Sequence, residues 1–95
     1  MEISKIDSEH IRELTIFLEK VVHIMNMKGC DASCYDNIDK SINVLKNKDI
    51  KGMLKIKGKI YEDFRMMYER GEYDASLDSI YNKIDKVLES SSLFG

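Results

Sequence analysis

The stretch IDSEHIRELTIFLEKVVHIMNMKG, residues 6–29, decides the fold. Its apolar residues Ile11, Leu14, Leu18, Val21, Val22 and Met25 recur every three or four positions, the spacing that lines one face of an amphipathic helix. Both ends are marked. Asp7 is placed to cap the helix, Ile6 and Ile11 suit the flanking and fourth positions of a hydrophobic staple, and Gly29 suits a left-handed stop. The spacing predicts a first helix over about 8–28.

The same reading carries outward along a chain that has no proline. Tyr35, Ile38, Ile42 and Leu45 form a second stripe, capped by Asp31 or Ser33 and broken at the polar Asn47–Asp49, which predicts a helix over about 33–46. Ile50, Met53, Ile56, Ile60, Phe64 and Met67 form a third, over about 50–70, with Gly71 as its stop. Gly52 and Gly58 lie inside it. Each costs about 1 kcal/mol relative to alanine in a helix interior, so they point to a close helix approach, a kink or a frayed first turn. Asp74 or Ser76 caps a fourth helix over about 75–89, striped by Leu77, Ile80, Tyr81, Ile84, Val87 and Leu88. Ser90, Ser91 and Ser92 open a loose tail over 90–95. Short connections favour antiparallel neighbours. The expected fold is all-α, one domain over residues 1–95, built as a small antiparallel four-helix bundle; the alternative is three helices with a fourth strapped across them.

A chain of 95 residues has one modest core, which leaves little room for a deep enzyme pocket. An apolar fraction of 43% and a charged fraction of 34% belong to a chain that folds rather than to a disordered one. No apolar run reaches the roughly 18–20 residues of a membrane span, and Met1–Lys5 lead into an amphipathic segment carrying Arg12, Glu13, Glu19 and Lys20. A cytosolic protein is expected. Cys30 and Cys34 stand four apart, a spacing that belongs neither to a zinc knuckle nor to a thioredoxin-type redox pair. His10 and His23 read as surface or partly packed side chains rather than ligands, since zinc normally takes four.

Charge is partitioned along the later half. Lys46, Lys48, Lys51, Lys55, Lys57 and Lys59 against Asp49 give +5, and Glu62, Asp63, Glu69, Glu72, Asp74 and Asp78 against Arg65 and Arg70 give −4, in a chain whose total is −2. Such separation acts on association partners rather than on the fold. Lys51, Lys55 and Lys59 would make a basic stripe able to meet phosphates, but the pI of about 5.7 speaks against direct nucleic-acid binding. An anionic membrane would repel the acidic stretch. The carboxylates have no EF-hand pattern and no paired glutamate and histidine motif of a di-iron bundle, so neither a metal nor another cofactor is implied. Adjacent Glu62 and Asp63 read as a solvated helix face rather than as an acid and base pair. No catalytic motif is present, and an enzyme is not expected.

Aromatic residues fall in the acidic stretch. Tyr68 and Tyr73 flank Gly71 in a turn with Glu69, Arg70, Glu72 and Asp74, and tyrosine is enriched at interface hot spots. Tyr61 and Tyr81 read as residues that close the bundle. Met66 and Met67 are adjacent and cannot both face the core, which leaves one for an adaptable surface. The expected partner-binding set is Glu62, Asp63, Tyr68, Glu69, Glu72, Tyr73, Asp74 and Asp78.

The segments INVLK (Ile42–Lys46), MMYERGEYD (Met66–Asp74) and IDKVL (Ile84–Leu88) resemble small helical immunity proteins encoded beside bacterial toxins, notably those of contact-dependent growth inhibition. The resemblance implies a cytosolic inhibitor that binds one cognate toxin, often a nuclease, and blocks its active site or substrate surface. A nuclease presents a basic cleft, which an acidic surface would complement. Two other classes suit the same residues: a helical adaptor or regulatory subunit, and a nucleic-acid-binding regulator using the lysine stripe.

Overall fold

Each apolar stripe becomes the buried face of a helix. The computed structural model describes residues 4–95, which form α1 (Lys5–Met27), α2 (Asp36–Lys46), α3 (Ile50–Glu69) and α4 (Ala75–Ser90), with short 3-10 turns at Ala32–Cys34 and Ser92–Phe94. No strand occurs among the described residues. Leu14, Leu18, Val21 and Met25 of α1 meet Ile38 and Leu45 of α2, Met53, Ile56, Ile60 and Met67 of α3, and Leu77, Ile84 and Leu88 of α4 in one core. The molecule is an all-α, antiparallel four-helix bundle.

Contacts between the helix ends show the antiparallel order. The start of α1 meets the end of α4 where Ser91 Oγ donates to Asp7 Oδ1 at 3.4 Å, and the end of α1 meets the start of α4 where Lys28 pairs with Asp74. Late α1 touches early α2 through Tyr35 Oη, which donates to Asn26 Oδ1 at 2.8 Å. Early α2 lies against late α3 through Ile38 and Asp63. The backbones of α3 and α4 stand further apart than those of the other neighbours, and large aromatic side chains span between them.

The helix ends show where local chemistry acts. Ser4, not Asp7, caps α1, its hydroxyl accepting the Asp7 N–H at 3.1 Å. With the helix starting three residues early, Ile6 falls on an exposed face and makes no staple. Asp49 and Asp74 cap α3 and α4, accepting the N–H groups of Gly52 and Leu77 at 3.1 Å each. Three helices stop in the same way. The N–H groups of Cys30, Asp49 and Glu72 reach back to the carbonyls of Met25, Val44 and Met67, closing Schellman motifs around a left-handed residue. Gly29 and Gly71 fill that position in two of them, with φ of 73° and 75°, while Lys48 fills it after α2 at φ 53°.

Asp31 caps the 3-10 turn through Ser33 rather than α2 itself. The first turn of α2 has no cap from its own segment. Asp63, two turns before the end of α3, supplies one: its Oδ2 accepts the Ile38 N–H at 2.8 Å, and Asn37 donates to it as well. The solvated face expected for Asp63 is therefore corrected, since the residue is only 1% exposed. Its carboxylate meets the backbone donors that are left without an intrahelical partner at the start of a helix.

Residues 90–95 are not a loose tail. Ser91 caps the turn Ser92–Phe94 through the Leu93 N–H at 3.2 Å, and Phe94 is fully buried against α3 and α4. A terminal aromatic preceded by a serine cap is enough to dock the segment on the core.

Gly52 and Gly58, equivalent by sequence, differ in their surroundings. A Cβ on Gly52 would lie 2.9 Å from both Asp49 Oδ2 and Val44 Cγ1, so this first-turn glycine permits the approach of α2 and the Asp49 cap. A Cβ on Gly58 would meet nothing within 4 Å.

Candidate protein-binding groove

The gap between α3 and α4 is filled by rings. On α3, Tyr61, Phe64, Arg65 and Tyr68 recur at three- and four-residue intervals along one side of the helix. Tyr73 comes from the connection that follows and Tyr81 from α4. Together these six residues line an open groove of about 340 Å³. Tyr81 is the centre of the cluster, with ring centroids 4.9 Å from Phe64 and 6.2 Å from both Tyr61 and Tyr73, all edge to face. Tyr73 also meets Phe64 at 6.5 Å and Tyr68 at 6.1 Å. Edge-to-face pairs are the favoured arrangement of aromatic quadrupoles, so the rings along the groove pack against one another favourably. Tyr68 is the exception in burial: it rises at the rim, 72% exposed.

Carboxylates fasten the phenols. Tyr61 Oη donates to Asp85 Oδ1 at 2.6 Å and more distantly to Glu89, and Tyr73 Oη donates to Asp78 Oδ1 at 2.8 Å. Burial and these anionic acceptors raise the pKa of both phenols, and burial with the Asp85 charge raises that of Tyr81. All three stay protonated. On α4, Asp78, Tyr81, Asp85 and Glu89 follow one another at intervals of three, four and four, an acidic and aromatic strip along the groove.

The expected binding residues divide into two groups. Tyr68, Tyr73 and Asp78 come together at the groove, with Glu69 exposed beside them and Glu62 exposed but paired with Arg65. Asp63, Glu72 and Asp74 are committed to the fold. Asp63 is buried as the cap of α2. Glu72 Oε2 accepts the Cys30 thiol at 3.0 Å, and its carbonyl accepts Lys28 Nζ at 2.8 Å. Asp74 caps α4, accepts the Ser76 hydroxyl at 2.6 Å and pairs with Lys28, which holds its pKa far below the usual carboxylate range.

Tyr61, Phe64 and Tyr81 line the groove, and Asp85 holds the Tyr61 hydroxyl, although none of the four was in the expected set. Phe64 and Tyr81 read as members of the apolar stripes of α3 and α4, and Phe64 is buried in the core, so the signal for the groove was the three- and four-residue spacing that sets Tyr61 and Asp85 beside them.

The cysteines join the same end of the bundle. The Cys30 thiol is pushed up to about 11, first by its hydrogen bond to the Glu72 carboxylate and then by burial, so it stays protonated. Buried Cys34 accepts Arg70 Nη1 at 2.8 Å. Among the described residues, no group of three or more His, Cys, Asp and Glu side chains is arranged to hold a metal, and no helix is long and apolar enough to cross a membrane. A second groove, between α1 and α2, is polar and crossed by the Lys46 and Glu19 pair.

Fold and groove together define a small helical protein with an aromatic groove beside which carboxylates hold the phenols. Compared with protein-family models, with curated proteins and with solved structures, the chain finds no match in any of the three.

Proposed function

We propose that this chain is an inhibitory binding protein of the immunity class, which works in the cytosol by occluding a cognate toxin through the α3–α4 groove. The observation that carries the reading is Tyr68, exposed at the rim of an aromatic cluster whose neighbouring carboxylates Asp78 and Asp85 make no salt bridge with any described residue. A large aromatic beside a preformed groove is the composition of an interface hot spot. Carboxylates around it that lack a cationic partner would steer a basic surface, such as the substrate cleft of a nuclease, into register. On this reading the chain makes and breaks no bond. Its action is steric and electrostatic, and it needs no cofactor.

The test is co-expression with the product of the neighbouring gene, followed by purification and a growth assay with and without this chain. A stable complex and rescue of growth are expected. Tyr68→Ala should weaken the complex at least about tenfold, and Asp78→Asn with Asp85→Asn should slow association and flatten its salt dependence. No complex and no protection would overturn the inhibitor reading and favour the adaptor class. That class has its own candidate surface on α1, where Ile16 is 46% and Met27 76% exposed.

A further inference from the structure

We propose that the α3–α4 groove receives a single arginine side chain of the partner polypeptide, its guanidinium stacked against Tyr68 and Tyr73 and paired with Asp78. The inference rests on the choice of this groove as the binding face, but not on the partner being a toxin.

Three observations point to this occupant. The first is charge balance at the rim. Arg65 is neutralised by Glu62, and Lys57 by Glu89 at 3.1 Å. Glu69, Asp78 and Asp85 are left without a salt bridge to any described residue. A cation entering the groove therefore meets carboxylates without a cationic partner at the end nearest Tyr73 and along the α4 side.

The second is the state of the rings. Tyr61 and Tyr73 each donate a hydrogen bond to a carboxylate. Donation from a phenol to an anion shifts electron density into the ring, which deepens the negative potential of its face, the feature that attracts cations. Burial and the same carboxylates keep the phenols protonated.

The third is shape. A groove of about 340 Å³ is small among ligand sites and suits an inserted side chain rather than a packed helix. Arginine fits better than lysine. Its planar guanidinium stacks on aromatic faces and presents five donors in a fixed fork, so it can lie against Tyr68 and Tyr73 while donating to Asp78.

The experiment titrates the full chain, followed by NMR of backbone amides and tyrosine rings, with a short glycine peptide carrying one arginine. The counterpart peptide carries citrulline, which has the same shape without the charge. Expected are shifts of Tyr68, Tyr73 and Tyr81 with the arginine peptide and none with the citrulline peptide. Tyr68→Leu should weaken binding roughly threefold to fivefold, and Tyr68→Phe should retain it. Asp78→Asn should weaken it and Asp85→Asn, two helical turns away beside Tyr61, should weaken it less, with the folded spectrum preserved. Equal response to both peptides, or shifts spread over the other acidic surfaces, would overturn the proposal. Ring signals that move on dilution of the protein alone would make a second copy of the chain the occupant and would overturn it too. If the groove selects arginine but the chain gives no protection from a toxin, only the inhibitor reading fails. If protection occurs and the groove shows no preference for arginine, only the present inference fails.

Discussion

At the scale of single residues, Asp63 shows how one side chain can serve two helices. It sits on α3 and caps α2, so Asp63→Ala would leave buried donors of α2 without an acceptor, at a cost of about 1–3 kcal/mol. Urea unfolding should show that loss as a lower midpoint with little change in slope. The pH dependence has a definite sign. Burial raises the carboxyl above its ordinary value of 3.8, against the opposing pull of its hydrogen bonds to Ile38 and Asn37. A raised pKa means that the folded state binds the proton more tightly, so the stability contributed is full below the ordinary value and is lost as pH rises through the raised one. Asp74 has the opposite sign. Its lowered pKa gives stability above the ordinary carboxylate range that is lost on acidification. Comparing the wild type with Asp63→Asn across the acid range isolates the first term: the advantage of the wild type should shrink as pH increases. None of this was legible in the sequence, because Asp63 next to Glu62 in a charged stretch has the pattern of a solvated face. Its burial depends on where α2 lands, which is a long-range fact.

The helices as elements were far more legible. Stripes of apolar residues at three- and four-residue spacing gave four helices in the right order, because a helix's buried face is a local, periodic property. Glycine stops after α1 and α3 were readable for the same reason, while the equivalent stop at Lys48 was hidden by a residue that pays a steric penalty in the left-handed region. The two internal glycines of α3 carry opposite expectations. Gly58→Ala should raise stability by about 0.5–1 kcal/mol, since the new methyl meets open space and the helix interior favours alanine. Gly52→Ala should lower it, because the methyl would collide with Asp49, which caps the helix, and with Val44. Thermal unfolding of the two variants side by side checks both signs.

At the scale of the whole molecule, the segment after α4 completes the core. Phe94→Ala would remove a fully buried ring, at a cost of about 3–5 kcal/mol, a large share of the roughly 5–14 kcal/mol available to a chain of this length. Chemical denaturation should show a strongly lowered midpoint, whereas a loose tail would show almost none. A run of serines gave no hint of this, since the docking depends on one aromatic finding a site formed by helices distant in sequence. The groove was half legible for a similar reason: Tyr68, Tyr73 and Asp78 lie close in sequence around the connection from α3 to α4, but Tyr61, Tyr81 and Asp85 join them only once α3 and α4 stand side by side. The chain has no tryptophan and five tyrosines, four of which line that groove. Its ultraviolet emission and near-ultraviolet dichroism therefore arise mostly from one place. The protein carries its own optical reporter, and anything that settles in the groove should change the molecule's intrinsic signal without a label.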